Sequence, residues 1–324
     1  MKKLILLGLA FLVALLVTEL LVRYVLKFPT YGVEVKLSGI RSSEGGVESM
    51  FYPHSRYWTV EGGNRVFERN NLGLPGTDVV VADSSQYVFV LGCSFIEAEQ
   101  VPPESIATSM LQRRLSLISP RLQVINLGHS GHDLYDSYLR AAYFERMLPP
   151  AAVILELHED GAVWFPRHAH PLRFTVGPDF GRPVRSWTAD ALRLARNYSS
   201  LVNIVVNAVK ADQRKRDEEE EIAGKRRTAA GTEEEPTLPA DLLTCLEAFH
   251  EKYGEKFCLV SMLMYPRENQ DLADYCKSHG MNFVSRDLIV TENRVAQAGH
   301  LNIKGNTALG ELLYESYLKI RQKP

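Results

Sequence analysis

The sequence predicts an α/β domain built on a parallel sheet, preceded by one N-terminal transmembrane helix. Three observations predict it. Short, continuously apolar runs recur along the chain, as in parallel strands buried on both faces. Segments of helical period separate them at spacings that suit crossover connections. The N-terminus opens on an apolar stretch of about 20 residues, enough to cross a bilayer as a helix.

Lys2 and Lys3 precede the uncharged run Leu4 to Val17, and the apolar pattern continues past Glu19 and Arg23 to Leu26. A cleaved signal peptide would end in a small-x-small site soon after the run. The chain instead continues Glu19-Leu20-Leu21-Val22-Arg23-Tyr24, which fits a signal anchor better. Glu19 and Arg23 are four apart, so they share a helical face and are expected to pair near the membrane exit. The lysines favour a cytoplasmic N-terminus, placing residues 28–324 on the outer side.

Residues 28–83, rich in Gly, Ser and Pro, read as a membrane-proximal lead-in of loops and short strands. The domain proper spans residues 84–324. Tyr87–Leu91 reads as its first buried strand, followed by a helix over about 105–117. Leu122–Ile125 is the second strand, about 135–147 the second helix, and Ala152–Leu157 the third strand. Residues 189–209 predict an amphipathic helix that runs into a charge-dominated insertion at 211–236. Such a run is a solvated segment in most proteins; docking of a partner is the alternative. The alternation then resumes: a helix over 240–253, a strand over 257–264, a helix over 272–279, a strand over 281–284 and a last helix over about 306–321.

With 324 residues, 45% hydrophobic and 23% charged, the chain has ordinary globular composition, and its formal net charge of -2 gives no reason to expect nucleic acid as a partner. Cys93, Cys245, Cys258 and Cys276 form no C-x-x-C pair. Buried thiols are one reading; a Cys245–Cys258 or Cys258–Cys276 disulfide is the other.

Three segments carry chemistry. Gly92-Cys93-Ser94-Phe95 closes the first strand and opens a helix, where ligands of α/β sheets bind and where a serine hydroxyl is exposed. Asn126-Leu127-Gly128-His129-Ser130-Gly131 closes the second strand, its glycines allowing close backbone approach. Gly299-His300-Leu301-Asn302 precedes the final helix and offers a histidine as general base. Each alone is equally a cap or a turn. His158, His168 and His170 add a weak metal reading, with too few ligands to make a site.

In order, the three segments resemble the SGNH/GDSL hydrolase family over about residues 70–319, closest to membrane-anchored members that carry an approach like Asn70-Asn71-Leu72-Gly73-Leu74-Pro75-Gly76. The resemblance implies a three-layer, flavodoxin-like fold, Ser94 as nucleophile, His300 as its base, and an oxyanion hole formed by the amides of Ser94 and Gly131. It implies ester or acyl substrates, including acylated glycans, with no cofactor and no metal. Three positions depart from the family pattern. Cys93 stands where an aspartate is usual, Glu159 where an asparagine donates to the oxyanion, and Gln297 where an aspartate orients the histidine. Asp160 matches the aspartate of the family's third block. Glu292, Asp287 and Asp160 are other carboxylates that could orient His300. Two readings follow: a serine esterase or O-acyltransferase, or a catalytically degenerate domain that binds a glycan or a partner protein.

Overall fold

The computed structural model describes residues 2–26, 34–35, 50–59, 65–130, 132, 134–157, most of 191–209, 238, 240–262, 266–295 and 299–322. Helix α1 (Lys2–Leu20) continues through a π-helical turn, Leu21–Val25. Together these 24 residues include an 18-residue window with a mean hydropathy of 2.7 and are long and apolar enough to cross a membrane. The same length and composition also suit a signal sequence.

The lead-in forms two antiparallel pairs. β1 (Glu34–Val35) pairs with β2 (Met50–Phe51), and β3 (Arg56–Thr59) with β4 (Arg65–Glu68). Phe51 and Phe67 pack with Ala98, Val101 and Ile106, so this region rests on the turn just after Ser94. Asn70 organises the entry to the sheet: its Oδ1 accepts from the amides of Leu72 and Leu74, and its Nδ2 donates to the Thr77 carbonyl.

The sheet has five parallel strands: β5 (Gln86–Leu91), β6 (Leu122–Asn126), β7 (Pro150–Leu157), β8 (Phe257–Ser261) and β9 (Asn282–Ser285). Their spatial order is β6-β5-β7-β8-β9, the flavodoxin-like order in which the first strand lies between the second and the third. Among the described residues, six helices accompany the sheet: α2 (Ser94–Glu97), α3 (Ala107–Ile118), α4 (Leu134–Glu145), α5 (Ala240–Tyr253), α6 (Pro266–Ser278) and α7 (Ile303–Arg321).

Strand periodicity builds three layers, because successive side chains point to opposite faces. Phe89, Leu91, Val153, Leu155 and Leu259 turn toward Phe144 of α4, Phe249 of α5 and Leu272 of α6. Val88, Val90, Ile154 and Val260 turn the other way, toward Leu111 and Leu115 of α3 and Leu309, Leu313 and Tyr317 of α7. Helices α3 and α7 approach closely at Gly310, where a Cβ would come within 2.9 Å of Met110 Cβ.

The expected elements are present, with shifted ends. α6 begins at Pro266, not Leu272, because its first turns (Arg267-Glu268-Asn269-Gln270) are polar and show no apolar stripe. α7 begins at Ile303, three residues early, because Asn302 caps it by accepting the Gly305 amide at 3.0 Å. β8 stops at Ser261 rather than reaching residue 264. The helix expected over 189–209 is interrupted at Ser199. All four cysteines are buried as thiols, and burial pushes the Cys276 thiol up to about 12. The charged insertion at 211–236 lies outside the described residues, as do His158, His168 and His170.

Candidate active site

In an open parallel sheet, ligands bind beyond the carboxyl ends of the strands, where the strand order reverses. Here that point lies between β5 and β7, and Ser94 is the first residue after the tight turn that ends β5. Gly92 makes the turn possible: its φ is +154°, and a Cβ there would collide with Ile96 and with the Glu156 side chain of β7. As the first residue of α2, Ser94 presents a backbone amide of the kind that intrahelical bonding leaves to other acceptors.

Ser94 and His300 are 206 residues apart in sequence, yet Ser94 Oγ lies 2.8 Å from His300 Nε2. Both are partly buried. The Phe95 ring tilts against the imidazole with centroids 5.5 Å apart, and Cys93 Sγ lies 3.6 Å from Ser94 Oγ.

The histidine loop is fixed from several sides. The Val295 amide donates to the His300 carbonyl at 2.7 Å, and the Asn302 amide to the Asn293 carbonyl at 2.7 Å. The Leu301 carbonyl, next along the chain, accepts from Gln100 Nε2 at 3.0 Å and from Asn306 Nδ2 at 3.1 Å. Gln100 lies six residues after Ser94, so the segment that carries the nucleophile also grips the segment that carries the base.

The second expected segment braces the serine helix. Asn126 Nδ2 donates to the Ile96 carbonyl at 2.7 Å, and its Oδ1 accepts the Gly128 amide. The His129 amide donates to the Gly92 carbonyl at 3.2 Å. Gly128 lies so close to α2 that a Cβ would stand 2.5 Å from the Glu97 amide and 2.7 Å from Ile96 Cβ.

Sequence reasoning missed a charged cluster beneath α2. Arg69 and Glu97 are both almost fully buried. Arg69 Nη2 donates to Glu97 Oε1 at 2.5 Å and to Glu99 Oε1 at 2.6 Å, with its guanidinium 4.2 Å from the centre of the Phe51 ring. The Ser130 amide donates to Glu97 Oε2 at 2.6 Å, and His129 Nδ1 lies 3.4 Å from Glu97 Oε1. Burial alone would raise the Glu97 pKa, but Arg69 first and His129 second hold it well below the usual carboxylate value. The sequence signals were position, since Glu97 falls one helical turn after Ser94, and the resemblance of the segment from Glu97 to Pro103 to the membrane-anchored members.

Among the expected site residues, Gly131, Glu159, Asp160 and Gln297 lie outside the described residues. Glu292 is exposed and its carboxylate takes Lys304 at 2.8 Å. Asp287 is exposed and accepts the Ile289 amide at 3.1 Å. Neither is bonded to His300. Among the described residues, no group of three or more His, Cys, Asp or Glu is placed to hold a metal ion.

No protein-family model matches this chain, and no curated protein matches it. Several solved structures are similar in fold at low identity. TesA is 14% identical with a TM-score of 0.43, covering 72% of this chain and 99% of its own. The psychrotrophic esterase EstA from Pseudoalteromonas sp. is 14% identical with a TM-score of 0.42, covering 72% and 98%. A two-domain esterase active on acetylated mannans is 10% identical with a TM-score of 0.42, covering 74% of this chain and 50% of its own. In this chain itself, the flavodoxin-like strand order, the serine after the first strand and the histidine before the last helix form the arrangement that the SGNH/GDSL resemblance implies.

Proposed function

We propose that this chain is a membrane-anchored serine esterase or O-acyltransferase of the SGNH/GDSL type, acting outside the membrane on an acylated glycan or a small ester. One observation carries the reading. Ser94 Oγ and His300 Nε2 meet at 2.8 Å at the switch point of the sheet, with the start of a helix beside them. A nucleophile within hydrogen-bond reach of a base is the arrangement that covalent acyl transfer requires.

His300 Nε2 accepts the Ser94 hydroxyl proton as Oγ attacks the acyl carbonyl. The developing oxyanion is received by the Ser94 amide, joined by that of Gly131. The imidazolium then protonates the departing alkoxide, and the C–O bond of the ester breaks. Water hydrolyses the acyl-enzyme, or an acceptor hydroxyl takes the acyl group; both second steps use the same base. Such chemistry needs no cofactor. The apolar α1 anchors the domain, with Lys2 and Lys3 on the cytoplasmic side.

The test uses the full chain in detergent micelles, treated with a fluorophosphonate and mapped by peptide mass. Labelling is expected at Ser94, absent in Ser94→Ala, and reduced at least about 1000-fold in rate in His300→Ala, since the base and nucleophile act as a unit. A folded chain that takes no label overturns the esterase reading and leaves the glycan- or partner-binding one.

A further inference from the structure

The buried cluster beneath α2 has no part in the bond-making steps, yet it ties α2 to the lead-in and to the loop after β6. We propose that Glu97 is a positioning residue for the Ser94–His300 site, setting the loop after β6 at a fixed distance from the serine; the inference rests on the esterase reading above.

One carboxylate gathers three distant pieces of chain. Glu97 itself belongs to α2, one turn from Ser94. Its Oε1 holds Arg69, just after β4 of the lead-in, at 2.5 Å. Its Oε2 accepts the amide of Ser130 at 2.6 Å, while His129 Nδ1 lies 3.4 Å from Oε1. The loop thus held leads directly to Gly131, the expected oxyanion donor.

The surroundings leave this loop little freedom. Gly128 has no room for a Cβ against the Glu97 amide, so loop and helix are in van der Waals contact. Ala98 ends α2 at a φ of +54°, a left-handed conformation unusual for alanine. Glu99, beyond that turn, also reaches Arg69, at 2.6 Å. Gln100 then holds Leu301, the neighbour of His300.

Stability alone is a weak reason for such a cluster. A buried ion pair is often replaceable by apolar side chains at no loss of stability. Geometry is a stronger reason, because oxyanion donors work only when aimed to within a fraction of an ångström, and a misplacement of about 1 Å can cost about 100-fold in rate. Glu97 acts at a distance: it supplies an anchor for the donors and touches no reacting atom.

The experiment compares the full-length protein with Glu97→Gln and Arg69→Lys in detergent micelles, using p-nitrophenyl acetate and the fluorophosphonate probe. Glu97→Gln keeps the side-chain shape and removes the charge. Its kcat is expected to fall about 10- to 100-fold with KM within about twofold, since the donors are misplaced while the pocket remains. The pH of half-maximal rate should stay at the parent's value. Arg69→Lys retains a cation and is expected to lose less, about 3- to 10-fold; it decides the matter should Glu97→Gln fail to fold. Folded variants with kcat within twofold of the parent overturn the positioning role and leave the esterase reading intact. A KM that rises while kcat holds also overturns it, assigning Glu97 to substrate binding. A parent that neither hydrolyses nor labels overturns the esterase reading and, with it, this inference.

Discussion

His132 lies against His129 with ring centroids 4.3 Å apart, close to Arg140. Burial first, then His129 and Arg140, push its imidazole well below the usual 6.5, with Glu97 opposing. The consequence for stability has a definite sign. Above about pH 6.5 His132 is neutral in both the folded and unfolded states and contributes nothing to the pH dependence. As pH falls through 6.5 the unfolded chain takes up a proton that the folded site refuses, so stability declines by at most about 1.4 kcal/mol per pH unit until the lowered folded value is reached. Glu97 acts in a lower window. Its depressed folded pKa supplies stability that is present above its ordinary value of 4.5 and lost as pH falls below that. The expected outcome is a Tm that declines from about pH 6.5 downward in the parent and stays nearly flat to about pH 5 in His132→Gln. Parallel Tm curves would show that His132 takes up its proton equally well in both states.

Between single residues and the whole sheet, the unit that matters is the tight turn from β5 into α2. Gly92 opens it, Ala98 closes it after one helical turn, and Gly128 of the next segment lies against it. A methyl group at Gly128 would stand 2.5 Å from the Glu97 amide, so backbone must move. Gly128→Ala is therefore expected to cost about 1–3 kcal/mol by overpacking and to slow Ser94 labelling. Thermal melts and labelling rates check it; an unchanged Tm together with an unchanged rate would mean that the loop does not rest on α2. Ser94 and His300 were legible as candidates because their segments, in order, resemble the SGNH/GDSL family; each alone reads equally as a cap or a turn. The brace was not. Asn126, Gln100, Arg69 and Glu97 act across long sequence separations, and neither periodicity nor turn chemistry reports which buried polar side chains will meet.

At the scale of the molecule, α1 is joined to a later part of the chain by more than covalent continuity. The expected Glu19–Arg23 pair is present at 2.9 Å. Glu19 also accepts from Ser199 Oγ at 2.8 Å and from the amides of Ser200 at 2.8 Å and Leu201 at 2.9 Å, while Arg23 donates to the Tyr198 carbonyl. A carboxylate at the start of a helix satisfies amides that have no intrahelical partner. Glu19→Gln is expected to leave the full chain in the membrane fraction after alkaline extraction, because α1 is unchanged. It should speed hydrogen exchange at Ser200 and Leu201 about 10-fold or more, the equivalent of one charge-assisted hydrogen bond. Unchanged exchange would show that Glu19 does not cap this helix, and release from the membrane would remove α1 as the anchor.

The sequence by itself determined the alternation of strand and helix, the apolar N-terminal helix and the Glu19–Arg23 pair, and through its resemblance to the SGNH/GDSL family it singled out Ser94 and His300 as candidates. The first three are local: they follow from period, length and residue spacing. Tertiary structure decided the strand order, the 2.8 Å meeting of serine and histidine, and the buried carboxylate that ties three segments beneath them. These depend on which faces are buried against each other, since a charge such as Glu97 is tolerated inside only where folding brings it an arginine and an amide to bind.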